Sequence, residues 1–310
     1  MNFRKFYLII CSILSVFMFF MGSLTLLYIN LNIVEEKPEN KSGALIHEIL
    51  VPFKENNKPI NVLVLGGDKV NNNTDTMMLV NFNPSSSKLS ILSIPRDTSV
   101  TIDGKRAKIN SAYPRGGGEL AVKTVSNLLG VDVEYYAFID TSSFRKIIDT
   151  LGGVDYNVPV DMDWDDPLQG LHIHIKKGPQ HFDGAKAEQF MRFRQYNNGK
   201  VNQYYDGSDL KRIEAQQNFI RELIRQKMNI FYITRLDDII NTVFSNIETN
   251  ISMSEVLKMS NSVTKIQADS IQTFKVPGES VLDGAWYYIM DEYETNKIIK
   301  ENFKYDNSLK

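Results

Sequence analysis

The stretch INVLVLGGDKVNNNTDTMMLVNFNPSSSKLSILSIPRD, from Ile60 to Asp97, decides the fold. Pro59 precedes a short apolar, partly β-branched run, Ile60–Leu65, of the length and composition of a strand buried on both faces. Gly66-Gly67-Asp68 ends it in a turn, and Asn71-Asn72-Asn73 continues as loop. Two further apolar runs, Met77–Phe82 and Leu89–Ile94, flank the polar turn Asn83–Ser87 and predict a hairpin. Pro95 stops the third run and fixes where Arg96 and Asp97 leave the sheet. Charged residues therefore stand at strand ends: Asp68 after the first, Asp75 before the second, and Arg96-Asp97 after the third.

Working outward, Gly116-Gly117-Gly118 leads into a helix over Glu119–Leu129, with Gly130 as its stop. Tyr135–Ile139 reads as a strand and Ser142–Leu151 as a helix closed by Gly152-Gly153. Asp183 is placed to cap a helix over Ala185–Met191. A polar loop, Asn197–Ser208, separates it from a long helix at Asp209–Met228. Ile271–Val276 reads as a late strand and Thr295–Phe303 as a terminal helix. Alternating strands and helices without repeats predict one α/β domain, a central mixed sheet with helices on both sides, over residues 59–310.

The N-terminal segment has a different character. Phe6–Ile29 is an uncharged apolar run, long enough to span a bilayer at about 1.5 Å per residue. Arg4 and Lys5 precede it, Glu35 and Glu36 follow it, and no A-x-A cleavage site is present. The expectation is a retained single-pass anchor in the cell membrane over residues 6–29. Residues 1–5 are then inside, 30–58 form a stem, and the domain lies outside the cytoplasm. The 35 basic and 37 acidic side chains give a formal charge of -2, which argues against broad nucleic-acid binding. The single cysteine, Cys11, lies in the apolar run, so the domain has neither a disulfide nor thiol chemistry.

Asp68 and Asp75 bracket a loop of six residues that can bring both carboxylates to the same sheet edge. Such hard oxygen ligands suit Mg²⁺, although Asp is also a common turn former. Arg96 is suited to a phosphate through paired N–H donors, or to a structural pair with Asp97. Arg192 and Arg194 flank Phe193; in extended chain both face one way, in a helical turn they diverge. Asp209, Arg212 and Gln216, at i, i+3 and i+7, share one stripe of the long helix. His172 and His174 alternate on one strand face without a third soft ligand close in sequence, and read as core or surface strand residues. Trp164, Trp286 and Tyr287-Tyr288 read as packing rather than a sugar platform.

Taken in order, the segments are more specific than any one alone. They are Val64-Leu65-Gly66 with Asp68, Thr74–Leu79, Ser93-Ile94-Pro95-Arg96-Asp97, Lys108–Tyr113, Asp149–Val154, Gly178–Arg194 and Asp209–Gln217. Together they resemble the LytR-CpsA-Psr family over about Ile60 to Gly278. The resemblance implies a membrane-anchored phosphotransferase of Gram-positive cell walls. Its substrates would be a glycopolymer on an undecaprenyl-pyrophosphate carrier and peptidoglycan. The product would be a phosphodiester at the C6 hydroxyl of N-acetylmuramic acid. It implies Asp68 and Asp75 as ligands of Mg²⁺ (or Mn²⁺), and Arg96, Arg192, Arg194, Arg212 and Gln216 as pyrophosphate-binding groups. Asp97 matches a position beside the phosphates. The sequence departs from the family where Asn73 and Ala215 stand at positions usually held by arginine.

On this reading cation and arginines neutralise the pyrophosphate and hold the phosphorus for in-line attack. Asp75, Arg96 and Asp97 are the candidate catalytic residues, with Asp75 or Asp97 deprotonating the hydroxyl. Apolar helices supply a groove for the carrier's tail. A lipid-pyrophosphate hydrolase would use the same groups with water as acceptor and release free polymer. A wall-polymer binding or regulatory protein would bind the carrier without turnover.

Overall fold

The computed structural model describes residues 58–67, 74–167, 170–227, 236–256 and 270–303. The expected anchor, nearly all of the stem, Asp68 and Asn73 lie outside the described residues. Among those described, no helix is long and apolar enough to cross a membrane.

Strands β1 (Ile60–Gly67), β2 (Thr74–Asn83) and β3 (Lys88–Ser93) realise the three apolar runs. β1 pairs antiparallel with β2, and β2 with β3, as the predicted hairpin requires. The small hairpin of β4 (Ser99–Ile102) and β5 (Lys105–Lys108) follows, then a 3-10 turn at Ile109–Ser111. Helix α1 (Ala112–Leu129) carries non-helical backbone at Gly116 and Gly117 and ends on Gly130 at φ 60°. The glycines therefore mark a kink, and the regular helix begins where the sequence places it.

β6 (Tyr135–Asp140) returns parallel to β1, and α2 (Thr141–Thr150) follows at once with Asp140 as its N-cap. Next come β7 (Val154–Val158), β8 (Met162–Asp166), β9 (Leu171–Ile175) and β10 (Gly178–Phe182). They form two separate antiparallel pairs, β7 with β10 and β8 with β9. Helix α3 (Gly184–Arg192) is capped by Asp183, which accepts from the Lys186 N–H at 2.8 Å. Helices α4 (Asp209–Lys227) and α5 (Leu236–Asn246) precede β11 (Glu248–Thr249) and β12 (Ile271–Lys275). The chain then makes the hairpin β13 (Gly278–Asp283) and β14 (Ala285–Met290), and ends on α6 (Glu292–Asn302).

The main sheet has six strands in the order β11-β6-β1-β2-β3-β12 and is mixed, since β6 and β12 join in parallel and the other pairings are antiparallel. Alternation along β1 builds two cores. Leu63 and Leu65 face Ala121, Val125 and Leu129 of α1 and Ile299 of α6. Val62 and Val64 face the other way, toward Ile220 and Ile224 of α4. Covering both faces is why β1 reads as a continuous apolar run.

A separate cluster gathers the small strand pairs around α3. Tyr156, Phe182, Phe190 and Phe219 pack there, with ring centroids such as Tyr156–Phe190 at 4.9 Å. Phe219 comes from α4, so this helix joins the sheet to the second cluster. Strands β4, β5, β7, β8, β10, β11, β13 and β14 and helix α5 are additions to the sequence reading. Most of the strand segments are too short or too polar to carry a clear periodicity, whereas the α5 segment has Leu236, Ile239, Ile240, Val243 and Phe244 at helical spacing, a signal the sequence reading passed over.

Candidate active site

β2 begins at Thr74, so Asp75 lies inside the strand rather than just before it, as its sequence position suggested. Gly66 pairs with Thr76 and Gly67 with Thr74, which leaves Asp75 opposite no residue. Asp75 is thus the extra residue of a β-bulge, a device that re-aims a side chain at the end of a ladder. Its carboxylate makes an ion pair with Nη1 of Arg96.

Arg96 leaves β3 through a turn tied down by its neighbours. The Thr98 N–H donates to the Pro95 carbonyl at 3.0 Å, and the Asn110 N–H donates to the Arg96 carbonyl at 3.2 Å. The Asn110 carbonyl accepts from Thr74 Oγ1 at 3.1 Å. The Lys108–Tyr113 segment therefore locks the Arg96 turn to the start of β2, beside Asp75.

These side chains open on a cleft of ≈ 990 Å³. Asp75, Arg96, Arg192, Arg194, Arg212 and Gln216 all line it. Arg212 is buried at 8% exposure and reaches back to β2, donating to the Asp75 carbonyl at 3.2 Å. Asp209 Oδ1 lies 2.5 Å from Arg212 Nη2 and 4.0 Å from Arg96 Nε, between the two guanidinium groups. Gln216 Nε2 donates to the Met191 carbonyl at 2.9 Å, joining α4 to the end of α3. The predicted stripe on α4 thus faces the site.

α3 ends at Arg192, and Phe193 is extended and fully buried. Arg192 and Arg194 both line the cleft, so the change from helix to extended chain does not send them apart. Arg192 Nη1 lies 3.1 Å from Glu188 Oε1, and Arg194 Nε donates to the Gly207 carbonyl at 2.6 Å. Glu188, 4% exposed, also holds Arg145 of α2. Sequence reasoning passed over Glu188. Its one signal is the i, i+4 spacing to Arg192; the pairing with Arg145 has none.

Asp97 does not line the cleft. It pairs with Lys108 at 2.6 Å and lies 3.9 Å from Arg96 Nε, while its carbonyl accepts from the Tyr288 N–H at 2.8 Å. Ala215, where the family usually has arginine, packs against the second core cluster.

Formal charge among the described residues of the cleft is balanced: Arg96, Arg192, Arg194 and Arg212 line it together with Asp75, Asp140, Asp166 and Glu188, and Arg96 and Arg212 are gathered at one end around Asp75 and Asp209. Burial is the largest influence on Arg212 and pulls its pKa below that of an ordinary arginine; Asp209 opposes this, and Arg96 and Arg194 add to it. Burial also works against the Arg96 charge, but the carboxylates of Asp75, Asp209 and Asp97 outweigh it and its pKa is raised. Arg212 Nε is a buried donor without an acceptor among the described residues. Buried donors are nearly always paired, so this atom and the four gathered arginines fit a polyanionic ligand.

The cleft also has apolar walls, among them Val64, Phe144, Ile148, Ile220 and Leu223. Its other ionisable lining groups among the described residues are the carboxylates Asp140, Asp166 and Glu188, and no imidazole or thiol of those residues lines it. Oxygen donors suit a hard cation such as Mg²⁺ rather than Zn²⁺, but Glu188 is engaged by Arg145 and Arg192 and Asp140 caps α2, so Asp75 is the lining carboxylate through which such an ion would be held.

A bulged carboxylate and a cluster of arginines, set at the edge of a mixed sheet beside apolar walls, characterise this α/β domain. The chain belongs to the LytR_cpsA_psr family, whose profile matches residues 23–304. It is 28% identical to the polyisoprenyl-teichoic acid–peptidoglycan teichoic acid transferase TagV of Bacillus subtilis, over 88% of this chain and 72% of that protein. It is 30% identical to the corresponding transferase TagU of Bacillus cereus, over 76% of this chain and 75% of that protein. The fold superposes on the crystal structure of B. subtilis TagV with a TM-score of 0.67 at 27% identity, covering 81% of this chain and 99% of the other. A structure of TagT bound to LI-WTA matches with a TM-score of 0.63 at 25% identity, over 80% and 91% of the two chains.

Proposed function

We propose that this chain transfers an anionic wall glycopolymer, of the teichoic acid class, from an undecaprenyl-pyrophosphate carrier to peptidoglycan. The observation that carries the reading is one cleft lined both by Arg96, Arg192, Arg194 and Arg212 and by apolar side chains. Pyrophosphate needs the first set and a polyprenyl tail the second. The names of the relatives TagV and TagU support the same reaction.

In the proposed reaction the C6 hydroxyl of N-acetylmuramic acid attacks the phosphorus nearer the glycan. A new P–O bond forms, the bond to the bridging oxygen breaks, and undecaprenyl phosphate leaves with the electron pair. The hydroxyl proton passes to a base. Asp75 is our candidate, because it lines the cleft and Asp97 does not. Asp97, paired with Lys108, instead positions Arg96. The arginines hold the phosphates in line and neutralise charge that develops on the leaving group. Asp75, with Asp68, would hold Mg²⁺, which supplies Lewis-acid neutralisation of the phosphate oxygens. Phe6–Ile29 would anchor the chain in the cell membrane with the domain outside, where a lipid carrier presents its head group.

The test is a transfer assay with the full chain in detergent, a short polyprenyl-pyrophosphate glycan donor and a peptidoglycan oligomer. A phosphodiester-linked product that requires Mg²⁺ and disappears in Arg96→Ala is the expected result. EDTA should stop the reaction, and added Mg²⁺ or Mn²⁺ should restore it. Free polymer without linkage would replace the transferase by a hydrolase. Donor binding without turnover would leave a binding protein.

A further inference from the structure

Outside the cleft, the β8–β9 hairpin carries a second constellation of ligating side chains. The register sets Asp165 opposite His172 and Asp163 opposite His174. Alternation puts these four on one face, while Met162, Leu171, Ile173 and Ile175 are buried in the second core cluster. Sequence spacing offered the two histidines no third partner; pairing of the strands supplies Asp165. The ligand atoms of Asp165, His172 and His174 all lie within 4.8 Å of one another.

Their hydrogen bonding argues for a cation. His174 Nδ1 lies 2.7 Å from Asp163 Oδ1, so in a neutral ring the proton sits on Nδ1 and Nε2 keeps its lone pair. That lone pair is 3.4 Å from Asp165 Oδ1, also an acceptor. His172 Nδ1 is 2.5 Å from the same oxygen. Two acceptors facing each other are unfavourable unless a cation lies between them, either a second proton on the ring or a metal ion. Metal–N and metal–O bonds of about 2.0–2.2 Å at tetrahedral angles set ligand atoms roughly 3.3 Å apart, close to the spacing of His174 and Asp165, while the His172–Asp165 hydrogen bond would have to open by rotation of the exposed imidazole. Asp163 then plays the outer carboxylate that orients a ligating histidine and raises its basicity.

We propose that Asp165, His172 and His174 form a binding site for a late divalent transition-metal ion, Zn²⁺ in the first instance, with Asp163 as the orienting carboxylate. Two imidazoles and one carboxylate select such an ion over Mg²⁺, which prefers oxygen donors. The site is distinct from the carboxylates of the cleft. It cross-links β8 to β9 beside Trp164, Asp166 and Leu171, which line the cleft wall. A bound ion would therefore stiffen that wall.

The experiment uses the full chain without an affinity tag, in detergent, with Mg²⁺ in large excess to occupy oxygen-donor sites. Co²⁺ is titrated by visible absorption and then displaced by Zn²⁺. One Co²⁺ per chain with the strong absorption of a low-coordinate N/O site, displaced by one Zn²⁺, is expected. Asp165→Asn and His174→Asn should each weaken binding at least about 10-fold, and Asp163→Asn by about 10-fold through the outer shell. His181→Asn removes a histidine that pairs with Asp155 at 2.8 Å outside the cluster, and should change nothing. No binding up to millimolar Co²⁺ or Zn²⁺ would overturn the proposal, as would binding that survives the double change His172→Asn/His174→Asn. Since these side chains are 41–76% exposed, circular dichroism of each variant should match the parent.

Discussion

Arg212 shows how one residue can be committed to a ligand. It is buried, is flanked by Arg96 and Arg194, and has Asp209 as its ion-pair partner. A lysine there would keep the charge but lose the planar fork of donors. Arg212→Lys is expected to lower kcat of transfer by roughly 10²-fold, the scale of losing one donor to developing charge. The midpoint of urea unfolding should move little. Unchanged kcat would remove Arg212 from the phosphate site. Asp75 poses a different question, because the bulge sets its direction and Arg96 holds its carboxylate. Asp75→Asn keeps the shape and removes the charge. Transfer should fall by at least about 10²-fold across the pH range if Asp75 serves as base, and the loss should persist at saturating Mg²⁺, which would rescue a defect in metal binding alone. A profile only shifted along the pH axis would reassign the base.

At the scale of elements, α2 and α3 approach so closely that Gly184 has no room for a side chain. A Cβ there would collide with the backbone of Arg145. The same contact places Glu188 between Arg145 and Arg192, and the Gly184 N–H donates to Asp149 at 2.7 Å. Gly184→Ala should therefore destabilise the fold by about 1–3 kcal/mol, the usual cost of overpacking, as read from the urea midpoint. It should also weaken donor binding through Arg192. The second core cluster gives a pH prediction. Burial, then Glu222, pushes Tyr156 up to about 12. An unfolded tyrosine loses its proton near about 10. Between those values the unfolded chain has released a proton that the folded chain keeps, so stability present below pH 10 is lost as pH rises toward 12. Urea midpoints measured across that window should fall, and Tyr156→Phe should flatten the fall; an equal slope in the variant would sink the assignment.

For the whole molecule, the buried polar network around Asn61 joins distant parts of the chain. Asn61 Nδ2 donates to the Asp132 carbonyl at 2.9 Å and the Phe303 carbonyl at 3.3 Å, and Asn61 Oδ1 accepts from Asn81 at 2.9 Å. The network thereby ties β1 and β2 to the segment after α1 and to the end of α6. Asn61→Leu fits the size but leaves the Asn81 donor and two carbonyls without this partner. A loss of about 2–4 kcal/mol in unfolding free energy is expected. A change within 0.5 kcal/mol would mean that water replaces the bonds, by the scale of ordinary surface substitutions.

The sequence by itself determined the parts whose signal is local. Apolar runs bounded by Pro95 and by glycines specify β1 to β3, and Asp183 with Gly130 marks helix ends. The order of the charged segments was enough to identify the family, because each position is read along one chain. Tertiary structure alone decided what depends on neighbours far apart in sequence. It set the bulge that turns Asp75 out, and it brought Asp209 between Arg96 and Arg212. It also put Asp97 outside the cleft lining, on Lys108, and placed Asp165 against two histidines. The physical reason is that hydrogen-bond register and the packing of helices across a sheet are non-local. A charged residue's partner is fixed only when those contacts close.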